Sequence, residues 1–362
     1  MIEGTVPREI REGPDAIRAT LALSHRPALD AAGDLRALGV RRVFVIGNGT
    51  SFHSSLAAAT LYRRHAMPSD PVAIPLTAAE FRWFRPVLDA RDAVIGISSS
   101  GEFRDVVAVA EELRGHTPMV GIVHVPGSSL TRVASHVVLS AGGPSTVPVM
   151  TKTFSCTLVA TELVLLGLLG SDRAGPVLDD IARAADHAEE AIAAAEPLVP
   201  ELVDRLAGRE HLFVAGGGLA YPAALEAALK LKEMALVHAE GAETWEMTSG
   251  AATMLGPSSV VIGLAPAGPA RAAMAELLEH VASWGAAVIE VGTEALLPGS
   301  GLLSLPAAAI EDQAPLTAVP PVALLAFALA RSRGADPDHP GWIERYHSQG
   351  LTHILGAGEA GT

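Results

Sequence analysis

Residues 42–49 read RVFVIGNG and residues 211–218 read HLFVAGGG, two apolar runs that each end in Gly-x-Gly and lead into an alanine-rich segment. Phe44 and Phe213 occupy matching places in these runs and are 169 positions apart. A short apolar run of this kind, followed by a helical pattern, predicts a buried strand and then a helix. The pair therefore indicates an internal repeat.

The repeat continues into the next predicted strands. Residues 93–101, AVIGISSSG, correspond to residues 260–268, VVIGLAPAG, at an offset of 167. Third strands are predicted at residues 119–125 and 287–291, each after a segment long enough for a helix. Short apolar strands that alternate with helices form βαβ units, whose strands are parallel. The predicted fold class is α/β, with two tandem doubly wound parallel-sheet domains of flavodoxin-like type that bind ligands at the carboxyl ends of their strands.

The length of 362 residues exceeds what one hydrophobic core usually organises, so two domains are expected. A long Ala- and Glu-rich helical pattern connects the repeats, and a polar tail follows the second. The predicted parts are an N-terminal helical segment at 1–30, a first domain at 31–172, a connecting helix at 173–200, a second domain at 201–333 and a C-terminal tail at 334–362.

The composition argues against several classes of protein. The formal net charge is −14, and the clustered Lys and Arg residues that bind a phosphate backbone are scarce, so nucleic acid is not an expected partner. The most apolar stretches, residues 157–170 and 320–330, are too short to span a membrane and are expected to be buried helices. Hydrophobic residues make up 49% of the chain, an excess that either strands buried on both faces or subunit contacts would absorb, and a homodimer is predicted.

The expected location is the cytoplasm. The N-terminus is charged and lacks the apolar run of a signal peptide. The one cysteine, Cys156, can form no disulfide within the chain, in agreement with a reducing compartment. No metal or organic cofactor is expected, since the thirteen histidines form no ligand-like cluster with cysteine or carboxylates.

Hydroxyl side chains follow the first and second strands of the first repeat and are missing from the matching turns of the second repeat. They belong to Thr50, Ser51, Ser98, Ser99 and Ser100. Free N–H groups and the helix dipole at a helix N-terminus favour an anion, so these turns predict a phosphate site. At either turn alone, helix capping explains the hydroxyls equally well. The third glycine of a dinucleotide fingerprint is missing, which argues against an NAD site.

The second repeat instead carries a distinctive helical pattern at residues 224–240, ALEAALKLKEMALVHAE. Glu226, Lys230 and Glu233 fall at i, i+4 and i+7, on one helical face. Charged side chains at such spacing usually form a ladder of ion pairs on a solvent-exposed helix face. The surrounding Ala, Leu and Met residues favour a helix packed in a cleft, where a partly desolvated carboxylate beside a lysine can move a proton.

These motifs resemble the sugar isomerase (SIS) domain family, most closely the isomerase half of glucosamine-6-phosphate synthase and stand-alone enzymes that isomerise or deaminate phosphosugars. Residues 47–51, GNGTS, resemble the family's first phosphosugar loop, and residues 97–102, ISSSGE, its serine-rich phosphate loop. Residues 228–233, ALKLKE, resemble its catalytic helix. The resemblance extends over nearly the whole chain. It implies a site for a phosphorylated sugar or amino sugar at Gly49, Thr50, Ser51, Ser98, Ser99, Ser100, Thr151 and Lys152.

The resemblance also implies roles in catalysis. Glu233 would move a proton between C1 and C2 of the sugar through an enediol, with Lys230 orienting or stabilising the site. Further catalytic candidates are Glu246, Arg345 and His347. A neighbouring subunit commonly completes the site in this family. Because the chain begins at Met1 without an N-terminal cysteine nucleophile, it is not expected to use glutamine as a nitrogen donor by itself.

Four positions near this chemistry depart from the family pattern. Ser249 stands where the ring-opening histidine is expected. Arg345 stands where the synthase has a lysine that meets the open-chain sugar, and arginine cannot form the same imine. Phe103 replaces a phosphate-binding threonine, and Ser145 replaces a glutamate that relatives often carry.

The departures leave several interpretations open. His347 or His353 could supply the missing acid or base from the tail, although a surface role is the simpler interpretation of each. The leading interpretation of the chain is a phosphosugar aldose–ketose isomerase or an aminosugar-phosphate deaminase/isomerase. A second is a non-catalytic sugar-phosphate-binding regulatory protein. A third keeps catalysis but changes the substrate to an acyclic or modified phosphosugar that needs no ring opening.

Overall fold

A computed structural model describes residues 2–143, 147–209 and 211–342. The chain divides into two compact units. The first unit, which holds the first repeat, consists of Asp15–Thr146, Lys152–Ala182 and Gly341–Thr362. The second unit, which holds the second repeat, consists of Met1–Pro14, Val147–Thr151 and Arg183–Pro340.

The first unit is built on a parallel five-stranded sheet of order β2-β1-β3-β4-β5. The strands are β1 (Arg42–Gly47), β2 (Val72–Thr77), β3 (Asp92–Ile97), β4 (Met119–Val123) and β5 (His136–Leu139). The helices are α1 (Thr5–Ala37), α2 (Thr50–His65), α3 (Ala78–Trp83), α4 (Arg104–Leu113), α5 (Ser129–Val133) and α6 (Lys152–Gly167). In this order β1 lies beside β3, so the turns after these two strands share one edge of the sheet.

The second unit repeats this topology in a parallel sheet of order β7-β6-β8-β9-β10. Its strands are β6 (His211–Gly216), β7 (Ala239–Glu243), β8 (Ser259–Ala265), β9 (Ala287–Gly292) and β10 (Gly301–Ser304). The helices from α7 onward are α7 (Ser171–Ala195), α8 (Val199–Leu206), α9 (Ala220–Ala235), α10 (Thr244–Thr248), α11 (Arg271–Ser283), α12 (Ala314–Thr317) and α13 (Val319–Ser332), with short 3-10 turns at Ala251–Met254 and Glu311–Gln313. Two parallel sheets of one topology confirm the predicted fold class.

The inner strands are buried because helices cover both faces of each sheet. Every residue of β3 and of β8 is buried, which explains why these strands read as continuous apolar runs. In the first unit the core includes Phe44 and Phe81, whose ring centroids lie 5.4 Å apart. In the second unit Phe213 and Val261 belong to the corresponding core. Helix α6 has 15 buried residues among its 16, so the predicted burial of this segment is confirmed.

Helix α1 is longer than the N-terminal segment predicted at 1–30, since it runs without a break from Thr5 to Ala37. The carboxylate of Asp338 caps its start and accepts hydrogen bonds from the Thr5 and Val6 N–H groups at 2.9 and 2.8 Å. A cap of this kind satisfies N–H groups that have no partner within the helix. The predicted domain boundaries remain predictions.

One helical stretch among the described residues, Glu311–Ser332, is long and apolar enough to cross a membrane by length and composition. The stretch is longer than the predicted buried segment at residues 320–330, because the turn at residues 311–313, α12 and α13 follow one another almost without interruption. The most apolar window of the stretch is 89% buried within the protein. A buried core helix has this property, and the predicted burial of residues 320–330 agrees with it.

Candidate functional site

The turn after β1 leads directly into α2 and carries the first group of predicted phosphate ligands. Gly49 precedes the helix with φ of 53°, a left-handed conformation that favours glycine. Thr50 and Ser51 form the first turn of α2 and are buried. The N-cap position is Gly49, which has no side chain, so neither Thr50 nor Ser51 is the N-cap residue of α2.

The turn after β3 carries the serine-rich segment. The Ser98 hydroxyl oxygen accepts hydrogen bonds from the N–H groups of Gly101 and Phe103 at 3.1 and 3.2 Å, and that of Ser100 accepts one from Glu102 at 3.2 Å. Within the described part of the chain, both hydroxyls act only as acceptors. A serine hydroxyl has one O–H donor besides its acceptor sites, so both can shape the turn and still donate to a phosphate oxygen.

Backbone N–H groups at the end of β4 and in α5 hold the serine turn in place. The His124 N–H donates to the Ser99 carbonyl at 2.9 Å, and the Leu130 N–H donates to the Gly101 carbonyl at 2.9 Å. The Ser129 N–H donates to the carboxylate of Glu102 at 2.8 Å. These bonds fix the turn from a neighbouring strand and helix, which is the support that a preorganised anion site needs.

His124 is a residue that sequence reasoning missed. Its ring is buried between the hydroxyls of Ser140 and Thr157, with Nε2 3.0 Å from the Thr157 oxygen. Burial lowers the pKa of His124 to about 4, because a charged imidazolium loses its hydration there. The ring is therefore neutral near pH 7 and positions the end of β4. Its place near the end of the strand predicted at residues 119–125 was the available signal.

The remaining phosphate candidates lie at the start of α6. Lys152 is the first residue of this helix, and Thr151 precedes it. The Oγ1 atoms of Thr151 and Thr153 are buried and have no hydrogen-bond partner among the described residues. A buried hydroxyl without a partner costs about 1–3 kcal/mol, so a ligand that bonded to these groups would remove that cost.

Helix α9 of the second unit holds the predicted proton-transfer residues. Lys230 has 1% of its side chain exposed and Glu226 has 0%, so the cluster is not a solvated ladder. The Lys230 ammonium lies 3.1 Å from Glu226 Oε1 and 2.6 Å from Glu233 Oε2. The Glu233 side chain is 27% exposed and is the one member of the three that solvent reaches.

The charges of this cluster stabilise one another. Burial alone disfavours the ammonium, but attraction first by Glu226 and then by Glu233 is stronger, so the pKa of Lys230 is raised. Two carboxylates share one ammonium, which leaves one formal negative charge on the cluster. Because Glu226 is fully buried beside Lys230, the Glu233 carboxylate is the group that can meet a ligand.

The backbone is strained three residues after Glu233. Leu236 directly follows α9 and has φ of 53°. Among the residues that the structure describes, it is the only non-glycine residue with a positive φ. Left-handed backbone at a bulky side chain is rare, and such strain clusters at functional sites. The strain marks the connection from α9 to β7 as a segment held by its surroundings.

The other catalytic candidates are placed differently. Glu246 lies exposed in α10, and its N–H donates to the carboxylate of Glu243 at 3.0 Å. Ser249 follows α10, is exposed, and donates to the Trp245 carbonyl at 3.4 Å. Arg345, His347 and His353, with Ser145, lie outside the described residues. In residues 2–143, 147–209 and 211–342, no group of three or more His, Cys, Asp or Glu side chains could hold a metal ion.

The fold and these groups define a tandem α/β repeat protein, with a hydroxyl-lined sheet edge in one unit and a buried Glu–Lys–Glu cluster in the other. The chain belongs to the SIS domain family, whose model matches residues 39–167 and 205–295. The resemblance seen in the sequence motifs is therefore confirmed.

Curated relatives and solved structures agree with this membership. The chain is 32% identical over 351 residues to the glutamine–fructose-6-phosphate aminotransferase (isomerizing) of Pyrococcus horikoshii, an alignment that covers 92% of this chain and 56% of the relative. The chain thus spans about half the length of the curated relatives it matches. The C-terminal domain of the Francisella tularensis glucosamine-fructose-6-phosphate aminotransferase shares the fold with a TM-score of 0.84 at 22% identity, over 93% of this chain and 99% of that domain. The glucosamine-6-phosphate deaminase of Thermotoga maritima shares it with a TM-score of 0.75 at 20% identity, over 93% and 97%.

Proposed function

We propose that the chain is a phosphosugar aldose–ketose isomerase or an aminosugar-phosphate deaminase/isomerase, with Glu233 as the base that moves a proton between C1 and C2. The observation that carries the proposal is the burial of Lys230 between Glu226 and Glu233. A buried ion pair is expensive to form and contributes little net stability, so a functional reason for it is favoured. The names of the relatives, which describe enzymes of fructose 6-phosphate and glucosamine 6-phosphate, support the same class of substrate.

The cluster suits reversible proton transfer. Lys230 holds Glu233 as a carboxylate, ready to take the proton from the carbon beside a carbonyl and leave an enediol. When Glu233 is protonated, Lys230 remains paired with Glu226 at 3.1 Å. The cluster then passes from one negative charge to neutral, and no buried charge loses its partner. The same carboxyl group can return the proton to the neighbouring carbon.

We propose that the phosphate of the substrate binds at the carboxyl edge of β1 and β3. The donors would be the hydroxyls of Thr50, Ser51, Ser98 and Ser100, with the N-terminus of α2 adding its dipole. Ser99 and Gly49 would contribute backbone, and Lys152 would complete the site. With a net charge of −14, the protein depends on such local donors to hold an anion.

The proposed isomerase and its alternatives differ in whether the protein must open the ring of a cyclic sugar phosphate. A serine hydroxyl does not gain or lose a proton near neutral pH as an imidazole does, so Ser249 cannot act as the acid or base that the family's histidine supplies. We therefore propose a substrate that enters in its open-chain form or is opened by another group. The absence of this histidine is also the observation that favours the second candidate, a regulatory protein that binds a sugar phosphate without turnover. Glu246 lies in α10, the short helix that Ser249 follows, and remains a catalytic candidate.

Solvent-deuterium incorporation at C1 and C2, followed by NMR, tests the proposal. The panel contains fructose 6-phosphate, glucosamine 6-phosphate and an acyclic sugar phosphate. Wild-type protein should catalyse exchange, and Glu233→Gln should slow it by a factor on the order of 10² to 10⁴. Glu240→Gln, a change at an exposed carboxylate in β7, is the matched control and should leave the rate unchanged. Tight binding without exchange of any sugar would instead establish the regulatory protein.

We also propose a homodimer located in the cytoplasm. The support is the apolar fraction of 49% together with a mean hydropathy of +0.33, a composition whose apolar surface subunit contacts would help to bury. Light scattering coupled to size-exclusion chromatography should give twice the mass of 37.3 kDa. A stable monomer at micromolar concentration would contradict the dimer and leave the proton-transfer proposal in place.

A further inference from the structure

The second unit retains the backbone of the phosphate turn without its hydroxyls. Gly218, which lies 169 positions after Gly49, has φ of 56° where Gly49 has 53°. Strands β6 and β8 pair in parallel as β1 and β3 do, so the turns after them also share one sheet edge. The turn still leads into a long helix, α9. The geometry of an anion site therefore survives in a repeat whose sequence is GGGLA.

A carboxylate of the protein itself occupies this position. Oε1 of Glu311 accepts a hydrogen bond from the Leu219 N–H, at the start of α9, at 3.1 Å. A Cβ atom on Gly218 would overlap Oε1, and one on Gly268 in the other turn would overlap Oε2. The Glu311 N–H donates to the Ala267 carbonyl at 3.0 Å. The side chain is 4% exposed and lies against both glycine turns at once.

A second polar group also points to a ligand at this edge. The Thr244 hydroxyl has 1% exposure and no hydrogen-bond partner among the residues that the structure describes. It lies 3.1 Å from the Cβ position of Gly217, between the glycine turn and the start of α10. In the first unit the residue that matches Gly217, 169 positions earlier, is Asn48, whose side chain accepts a hydrogen bond from the Ala78 N–H. The second unit lacks that side chain, and the Thr244 hydroxyl beside Gly217 has no partner among the described residues.

We propose that the glycine turns at 216–220 and 266–268 form an oxyanion site in which the Glu311 carboxylate is a fixed internal ligand. An inorganic tetrahedral oxyanion, phosphate or sulfate, is the external ligand that this site takes when the carboxylate is removed. The tethered carboxylate has a high effective concentration and repels a second anion, so it keeps phosphate out of the second unit. This inference goes beyond the proposed reaction and does not depend on it.

Glu311→Ala tests the site, with phosphate binding measured by titration calorimetry. The variant should bind one more phosphate per chain than the wild type, and phosphate or sulfate should raise its Tm by at least twice the wild-type increase. Sodium chloride at matched ionic strength should not do so. Glu311→Gln should gain no site, because its amide fills the same space. Glu279→Ala, which removes an exposed carboxylate from α11, controls for net charge and should behave as wild type.

Each outcome of the Glu311→Ala experiment either supports or overturns the proposed oxyanion site. A folded Glu311→Ala protein that binds no more phosphate than the wild type overturns it, as does an equal gain in Glu279→Ala. If Glu311→Ala does not fold in chloride, folding that returns in phosphate or formate supports an exchangeable anion site. Failure to fold in all three salts overturns the proposal and leaves Glu311 as a purely structural cap of α9.

Discussion

The Nζ atom of Lys230 lies 2.6 Å from Oε2 of Glu233, although Lys230 is almost fully buried and Glu233 meets solvent. The bond joins the interior of α9 to its accessible face. Glu226, on the buried side, supplies the second carboxylate. The stability and the chemistry of this helix are therefore coupled, and both can be tested by separate substitutions.

Lys230→Met should lower the free energy of unfolding by about 3–5 kcal/mol, since it leaves the Glu226 carboxylate buried without its partner. The raised pKa of Lys230 means that its stabilisation is present below the ordinary value of 10.5 and is lost as pH rises through the folded-state pKa. Urea unfolding at pH 7 measures the loss. Lys232→Met, at an exposed position of the same helix, should change stability by less than about 0.5 kcal/mol. Equal losses in the two variants would contradict the assignment.

His124 should make the protein less stable in acid. Its pKa falls from the ordinary 6.5 to about 4 on folding, so the unfolded chain binds a proton between these values and the folded chain does not. Stability should decrease by about 2–3 kcal/mol from pH 7 to 4.5 through this residue. His124→Gln should remove that part of the decrease in urea unfolding at both pH values. His116→Gln, an exposed substitution, should retain it, and a His124 variant with the wild-type pH dependence would refute the prediction.

Ser98→Ala should weaken phosphate affinity by about tenfold and lower stability by about 1–3 kcal/mol, because its oxygen accepts two N–H groups of its own turn. Ser135→Ala is the matched control. The Ser135 hydroxyl also accepts a backbone N–H, from Met119, but at the amino end of β4. Because Ser135 is exposed, this variant should lose less stability than Ser98→Ala, and it should lose no affinity. Calorimetric titration with phosphate separates the two effects, and equal affinities in both variants would exclude Ser98 from the anion site.

Gly101 and Gly115 provide a test of the turn itself. Both have positive φ, at 73° and 78°, so alanine is strained at each by roughly 1–2 kcal/mol. A Cβ on Gly101 would also overlap the Ser128 hydroxyl, whereas one on Gly115 meets open space. Gly101→Ala should therefore cost about 1–3 kcal/mol more than Gly115→Ala in thermal or urea unfolding. Similar costs would show that the serine turn tolerates displacement.

The strands that sequence analysis located are the inner ones. The apolar runs of β1, β3, β4, β6, β8 and β9 stand out because both faces of these strands are covered. Edge strands β2, β5, β7 and β10 were not recognised. Strand β2 contains Pro75, which an edge tolerates, and β7 reads AEGAE, which forms a strand only because it pairs with β6.

The repeat, the parallel α/β class, the hydroxyl turns and the Glu226–Lys230–Glu233 face were determined by the sequence alone, since each is a local pattern or a spacing along one element. The tertiary structure decided which of these groups are buried, and it alone identified His124 as a support of the serine turn. It also brought Glu311 to the Leu219 N–H, 92 positions away in the chain. The physical reason is that burial and long-range hydrogen bonds depend on how elements pack, and no local spacing encodes that packing.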